Sequence, residues 1–281
     1  KMAASSAPSA NFRTWPIVLL LTLLSLPLVV MYIYLFVDTV TDSSTGSLIP
    51  DTFTLSHWDF LWHTKVGKPS VWVVLVNTLL FATSTTTVVL LISSMVGYAL
   101  SRLNVPGRSV LLAGVMVMHA FPSVTLLIAI FVVLQMVGLY NTLIGVILVK
   151  AALDLPLCIW LMKGFYDTVP WEIEMAGITD GASRFTVWRR LVLPQVFPAL
   201  AALGLFAFLS GWSEFILPRV LAPGNNVQVF SVYLASLIAD DNNFDLSMFK
   251  AVGVFYAIPV IVLFVLFQRH LMNIYGGGTK G

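Results

Sequence analysis

The sequence predicts an all-α polytopic membrane protein with six transmembrane helices and both termini on the cytoplasmic side. Three observations predict it. Of the 281 residues, 58% are hydrophobic and 10% charged, with a mean hydropathy of +0.93; a soluble domain carries about 25% charged residues. Six runs each hold the roughly 20 apolar residues that a helix needs to cross a bilayer core. Lysine and arginine are spread unevenly about those runs, as the positive-inside rule requires. Long period-2 alternation, the mark of a transmembrane barrel, does not occur.

Residues 1–14 are mostly Ala, Ser, Pro and Asn, with Lys1 and Arg13. They cannot bury a core and are expected to be a disordered cytoplasmic N-terminus. The first run, 15–37, is longer than a signal-peptide core and lacks a small-residue cleavage site, so it reads as a retained anchor. Further runs fall at 71–100, 109–137, 142–165, 195–217 and 251–268. Residues 15–270 thus read as one membrane domain with its core at 71–270, followed by a Gly-rich cytoplasmic tail at 271–281.

With the N-terminus inside, the inside segments hold Lys1, Arg13, Arg102, Arg108, Lys163, Arg184, Arg189, Arg190, Arg269 and Lys280. The outside segments hold only Lys65, Lys68, Arg219 and Lys250, together with Asp38, Asp42, Asp51, Asp59, Asp240, Asp241 and Asp245. The outside loop 38–70 carries turn signals at Ser43, Ser44, Gly46 and Pro50, then Trp58, Phe60 and Trp62. The outside loop 221–249 opens on Pro223-Gly224-Asn225-Asn226 and holds Phe230, Tyr233 and Phe244. These aromatics suit an interfacial belt or a docking surface.

Composition also excludes functions. A net charge of +2 gives no reason to expect a nucleic-acid partner. The single cysteine, Cys158, rules out an intrachain disulfide and a thiolate metal cluster. His57 and His63 flank Asp59 at a spacing that fits no zinc pattern, so no metal site is expected. No phosphate-binding glycine loop occurs, the Gly276–Gly281 tail included, so no nucleotide site is expected on this chain.

Several residues at membrane depth stand out. Lys150 and Asp154, at i and i+4, either pair with each other or meet a solute. Glu214 has Arg219 one turn on and is expected to pair with it. Trp212, Phe215, Phe255 and Tyr256 either pack between helices or stack on the apolar face of a sugar. His119 precedes Pro122 by one turn and is expected to satisfy a carbonyl that the proline frees. Ser93 and Gly97 permit a close helix approach.

The connection between the fourth and fifth runs is unlike an ordinary membrane loop. Val169-Pro170 with Glu172 reads as a helix start. Asp180-Gly181 reads as a helix stop. Ser183 can cap a second helix bearing Phe185, Trp188 and Leu191, and Pro194 opens the next span. A helix–turn–helix of this kind lies on lipid, or fits a cleft in a soluble partner and moves with it.

The run Val169–Ser183 resembles the cytoplasmic signature loop of binding-protein-dependent ABC importer permeases. Asp180-Gly181-Ala182 and Leu193-Pro194 stand where that family has them. Counting back from Gly181, the family's Glu-Ala-Ala falls on Met175, Ala176 and Gly177, with Glu174 next door. The departures leave open which acidic residue meets a partner. Leu155-Pro156 through Trp160, Lys163-Gly164-Phe165-Tyr166, Trp212-Ser213-Glu214-Phe215 and the glycine tail resemble the carbohydrate-uptake branch, the second permease subunit of maltose-type systems.

The resemblance implies a transport subunit, not an enzyme, in the inner membrane. It implies a second permease subunit, a different chain in that branch, around one path for a sugar, oligosaccharide or polyol. Two ATPase subunits, which bind the ATP and Mg, would dock on the loop through Glu174, Met175, Ala176, Gly177, Asp180, Gly181, Ala182, Ser183, Leu193 and Pro194. An extracytoplasmic solute-binding protein would deliver the solute from outside. Lys150, Asp154, Trp212, Glu214, Phe215 and Tyr256 are the candidates for the solute path. The same mechanism could serve a sugar phosphate or another small metabolite. An ion-coupled carrier would use Lys150, Asp154 and Glu214 instead, and would show internal repeats. A polytopic enzyme would need Asp, His or Glu clustered at one depth, and the four histidines are scattered.

Overall fold

A computed structural model of the chain describes residues 15–42, 52–239 and 245–276, with side chains to residue 267. Residues 1–14, the turn signals Ser43, Ser44, Gly46 and Pro50 with Asp51, the residues Asp240, Asp241 and Phe244, and the tail 277–281 with Lys280 lie outside the described residues. So does the side chain of Arg269.

Eleven α-helices make up the described chain: α1 Trp15–Thr39, α2 Val71–Arg102, α3 Arg108–Ala120, α4 Ser123–Met136, α5 Leu143–Asp167, α6 Trp171–Thr179, α7 Arg184–Val187, α8 Leu193–Trp212, α9 Ile216–Leu221, α10 Phe230–Ile238 and α11 Leu246–Gly276. A π-helical segment, Trp188–Val192, joins α7 to α8. Five helical stretches are long and apolar enough to cross a membrane, and α3 with α4 makes a sixth if the bent pair is one span.

Three expectations are corrected here. The run 109–137 is not one straight helix, because α3 and α4 meet at 97°. Pro122 has no N–H and pushes Phe121 into an extended conformation (φ −74°, ψ 129°), which ends α3. The run 195–217 breaks after Trp212, and α9 starts only at Ile216. α11 runs to Gly276, so residues 271–276 are helical rather than part of a glycine tail.

The chain divides into two compact units, 1–59 with 245–254 and 60–244 with 255–281. In the smaller unit α1 is apolar on every face and buries only Thr39. Trp58 Nε1 donates to the Thr39 carbonyl (3.1 Å), and Thr41 bridges Phe53. Lys250 Nζ sits 2.6 Å from Asp38 Oδ2, which neutralises both charges at the end of α1.

The larger unit is organised on α2 and α5, which pack along their lengths. A Cβ added to Gly97 would stand 2.8 Å from Met162 Cβ, so the backbones meet where the small residue allows it. α2 carries a threonine-rich stretch that would be costly in lipid. Thr78, Thr86 and Thr87 donate to the carbonyls four residues back (2.7–2.8 Å), which satisfies each hydroxyl within the helix. Thr142 caps α5 by accepting from the Gly145 N–H at 3.0 Å. At the end of the unit away from α6, α10 lies on α2: the Phe230 N–H donates to Thr78 Oγ1 (2.8 Å), and Asn77 donates to the Asn226 and Gln228 carbonyls. Asn141, at φ 58°, holds the Gly224 N–H through its side chain at 2.8 Å.

Candidate functional site

The connection between α5 and α8 forms a compact helix–turn–helix. α6 begins after Pro170 and carries Glu172 and Glu174 in its first turn, at the positive end of the helix dipole. It ends in a Schellman turn: Gly181 sits at φ +86°, its N–H donates to Ile178 O, and the Ala182 N–H donates to Gly177 O (3.0 Å each). Ser183 Oγ then accepts from the Thr186 N–H at 3.3 Å and starts α7. The second helix does not stop before the next span. It passes through the π segment into α8, with Pro194 in the first turn of α8.

α6 presents two faces. Trp171, Glu172, Met175, Ala176, Thr179 and Asp180 are exposed, on the spacing of one helix side. Glu174 and Gly177 are buried on the other. A Cβ at Gly177 would stand 2.5 Å from Leu191 Cδ1 and 3.0 Å from Val187 Cγ2, so this position sets how closely α6 lies on the second helix.

Glu174, 1% exposed, is the anchor of α6. Tyr98 of α2 donates its hydroxyl to Glu174 Oε1 at 2.8 Å, and Arg102 Nε lies 3.6 Å from Oε2. The Arg102 guanidinium also donates to the Tyr166 carbonyl (2.7 Å) and to the Val169 carbonyl. It covers the Trp171 ring at 5.2 Å. The Tyr166 hydroxyl joins Ser94 (2.7 Å) and the Trp188 indole N–H (3.1 Å). One polar network thus ties α2, α5, α6 and the π segment together. Of the two neighbouring positions considered for partner contact, Glu174 is enclosed by this chain, whereas Met175 is 42% exposed. Nothing in the sequence flagged Tyr98, which looks like an ordinary span residue, and Tyr166 entered only as part of the Lys163-Gly164-Phe165-Tyr166 resemblance, with no contact expected of it. Arg102 counted only as an inside charge.

A second cluster lies in the spans. Lys150 is 7% exposed, and its Nζ has Asp154 Oδ1 at 3.1 Å, Ser210 Oγ at 2.8 Å and Glu214 Oε2 at 3.2 Å. The expected Lys150–Asp154 pair is present. The expected Glu214–Arg219 pair is not: Glu214 lies in the break between α8 and α9, off the helical spacing to Arg219, and turns to Lys150. Its Oε1 accepts from the Leu217 N–H at 3.3 Å, at the start of α9.

Trp212 is 2% exposed and stacks between Phe208 (5.7 Å) and Tyr256 (5.5 Å). Tyr256 donates to the Trp212 carbonyl at 2.9 Å. Both belong to helix packing in this conformation, as does Phe255 against Trp72 (5.7 Å). Phe215 is 39% exposed. Among the described residues His119 has no hydrogen-bond partner, contrary to the expected carbonyl contact. It lines a cavity of about 320 Å³ with Asp154 and Ser210.

These features define a polytopic helical membrane protein with a two-faced helix clamped to its longest span. Residues 89–272 match the family described as "Binding-protein-dependent transport system inner membrane component". The chain belongs to that family: it is a multi-pass inner-membrane transport permease. It is 31% identical to the maltodextrin transport system permease protein MdxG of Bacillus subtilis over 73% of this chain and 74% of that one. It is 30% identical to the maltose/maltodextrin transport system permease protein MalG of Salmonella typhimurium, over 85% of each chain. The trehalose transport system permease protein SugB of Mycobacterium tuberculosis is 26% identical over 84% of this chain and 85% of that one. A crystal structure of a bacterial ABC transporter involved in the import of the acidic polysaccharide alginate superposes with a TM-score of 0.76, at 23% identity, over 94% of this chain and 99% of that one. The fold is therefore that of an ABC transporter permease.

Proposed function

We propose that this chain is one permease subunit of an ATP-driven importer for a sugar, oligosaccharide or polyol. The observation that carries the coupling role is the two-faced α6. Its inner face is tied to α2 and α5 through Glu174, Arg102 and Tyr98. Its outer face is free to meet another protein. A load on Trp171, Met175 or Asp180 would then reach α2 through the Tyr98–Glu174 hydrogen bond and α5 through the Arg102 contacts with the Tyr166 and Val169 carbonyls.

Two ATPase subunits, holding the ATP and Mg, would dock one on this chain's α6 and one on the partner permease. The partner is a different chain, and an extracytoplasmic binding protein delivers the solute. Both termini are cytoplasmic, following the lysine and arginine bias. ATP-driven closure of the ATPases would move α6 and switch the spans between inward- and outward-facing. The carbohydrate assignment rests on the relatives named for maltodextrin, maltose and trehalose. Of the path candidates, Asp154 lines the cavity with His119 and Ser210, Phe215 is 39% exposed, and Lys150 is buried behind its three oxygen partners. Trp212 and Tyr256 would reach solute only in another conformation.

Mild-detergent purification of the tagged chain from its host tests the reading. A second permease, an ATPase and a binding protein should copurify, and binding assays on the last would name the solute. A chain that purifies alone, and moves solute without ATP once reconstituted, would instead be a gradient-driven carrier.

A further inference from the structure

We propose that the cavity between α3, α5 and α8 is a solute subsite on this subunit that accepts neutral or cationic hydroxyl-rich groups and rejects anionic ones. The proposal rests on the importer reading and adds a selectivity to it. The cavity measures about 320 Å³, at the lower end of ligand-pocket sizes, and suits a single sugar ring. Its walls include Leu157, Leu161 and Phe206, and its polar groups are His119, Asp154 and Ser210. An apolar wall with a few convergent polar groups is the usual make-up of a small-molecule site.

The selectivity follows from hydrogen-bond capacity. An ammonium has three N–H donors and no acceptor. Lys150 Nζ already has three oxygens around it, from Asp154, Ser210 and Glu214. It has no donor left for a phosphate, carboxylate or sulfonate. Asp154 Oδ2 is buried and has no partner within the described residues. A buried carboxylate oxygen is costly to leave unmatched and calls for a donor. Ser210, already accepting from Lys150, can still give its own O–H. The cluster of one lysine and two carboxylates is formally negative by one charge. In a span, where charge is poorly screened, that repels a second anion. A hydroxyl or ammonium supplies the donor that Asp154 Oδ2 lacks; an acidic group could take the Ser210 O–H or a His119 N–H, but it leaves Asp154 unmatched and meets the cluster's net negative charge.

The assembled importer provides the test. Leu157, 38% exposed at the cavity wall, is replaced by cysteine in a Cys158→Ala background. Cationic and anionic methanethiosulfonates are then applied with and without ATP, and modification of residue 157 is read by mass spectrometry. The cationic reagent should react about tenfold faster, Asp154→Asn should bring the two rates together, and glucosamine but not glucose 6-phosphate should slow the reaction. Phe206→Cys, on another part of the wall, repeats the measurement should Leu157→Cys fail to assemble. Equal rates, a faster anionic reaction, or a preference that survives Asp154→Asn would overturn the proposal. So would an assembly that hydrolyses ATP yet leaves residues 157 and 206 unmodified in both states, since the partner permease or lipid then covers the cavity. Absence of any partner-bound assembly would overturn the importer reading itself, a distinguishable result.

Discussion

Arg102, in the last turn of α2, lies 3.6 Å from the carboxylate of Glu174, the fourth residue of α6, and both side chains are almost wholly buried. The pair joins the longest helix of the larger unit to the helix proposed to receive the ATPase. Removing one member leaves the other charge enclosed without its counter-ion, the costly way to break a buried pair. Glu174→Gln keeps the shape and an acceptor for Tyr98 but not the charge. It should lower the thermal midpoint of the detergent-purified chain, by the equivalent of about 2 kcal/mol. ATP hydrolysis of the assembled importer should also become less dependent on solute-loaded binding protein. A Glu174→Gln importer that stays both stable and fully coupled would show that the clamp transmits nothing.

Gly177 tests how closely α6 must lie on the second helix. A methyl there meets the far end of the Leu191 side chain at 2.5 Å and the two Val187 methyls at 3.0 and 3.8 Å, and no backbone atom outside its own helix stands closer. Gly177→Ala should therefore fold and transport nearly as the parent does, whereas Gly177→Leu should prop α6 outward and reduce ATPase copurification severalfold. Quantitative pull-down of the ATPase from membranes containing each variant compares them.

Gly181 sits at φ +86° with open space around its Cα. The cost of any side chain there is backbone strain alone, about 1 kcal/mol. Gly181→Asp should insert normally but weaken ATPase association and uncouple transport, because it disturbs the turn that orients α6. Normal assembly and transport by this variant would count against the loop as the docking element.

Lys150 is expected to be needed for the integrity of the spans rather than as a free charge. Lys150→Met leaves Asp154 and Glu214 without their shared cation and should cost about 3 kcal/mol. Combining it with Asp154→Asn and Glu214→Gln should recover most of the loss, since the uncompensated charges are gone. Fluorescence-detected gel filtration after heating reads both; a triple variant no more stable than Lys150→Met would show that the charges are not what holds the cluster.

The α6 turn was legible because its signals are local. Pro170, Glu172, Asp180-Gly181 and Ser183 act on their own backbone within a few residues, and each took the predicted place. The close approach at Gly97 was legible for the same reason: a small residue on α2, four after the buried Ser93, lets the backbone of α5 come near. The Arg102–Tyr98–Glu174 clamp was not, because Glu174 lies 72 residues from Arg102 and 76 from Tyr98, and no spacing rule relates it to them.

What the sequence by itself determined is therefore the chemistry that acts over one or two turns: apolar run length, charge bias, helix starts and stops, and the loop pattern that marks the family. Pro122 even carried its break in plain view, though the apolar run across it read as one span. The i, i+4 spacing gave the Lys150–Asp154 pair, but only the tertiary structure decided which charges meet across helices. Glu214 had a helical neighbour of opposite sign in Arg219 and passed it over for Lys150, on another helix, because α8 ends at Trp212 and removes the spacing on which the local pair depended. A buried cation takes the oxygens that packing brings within reach, and packing is settled by every helix at once.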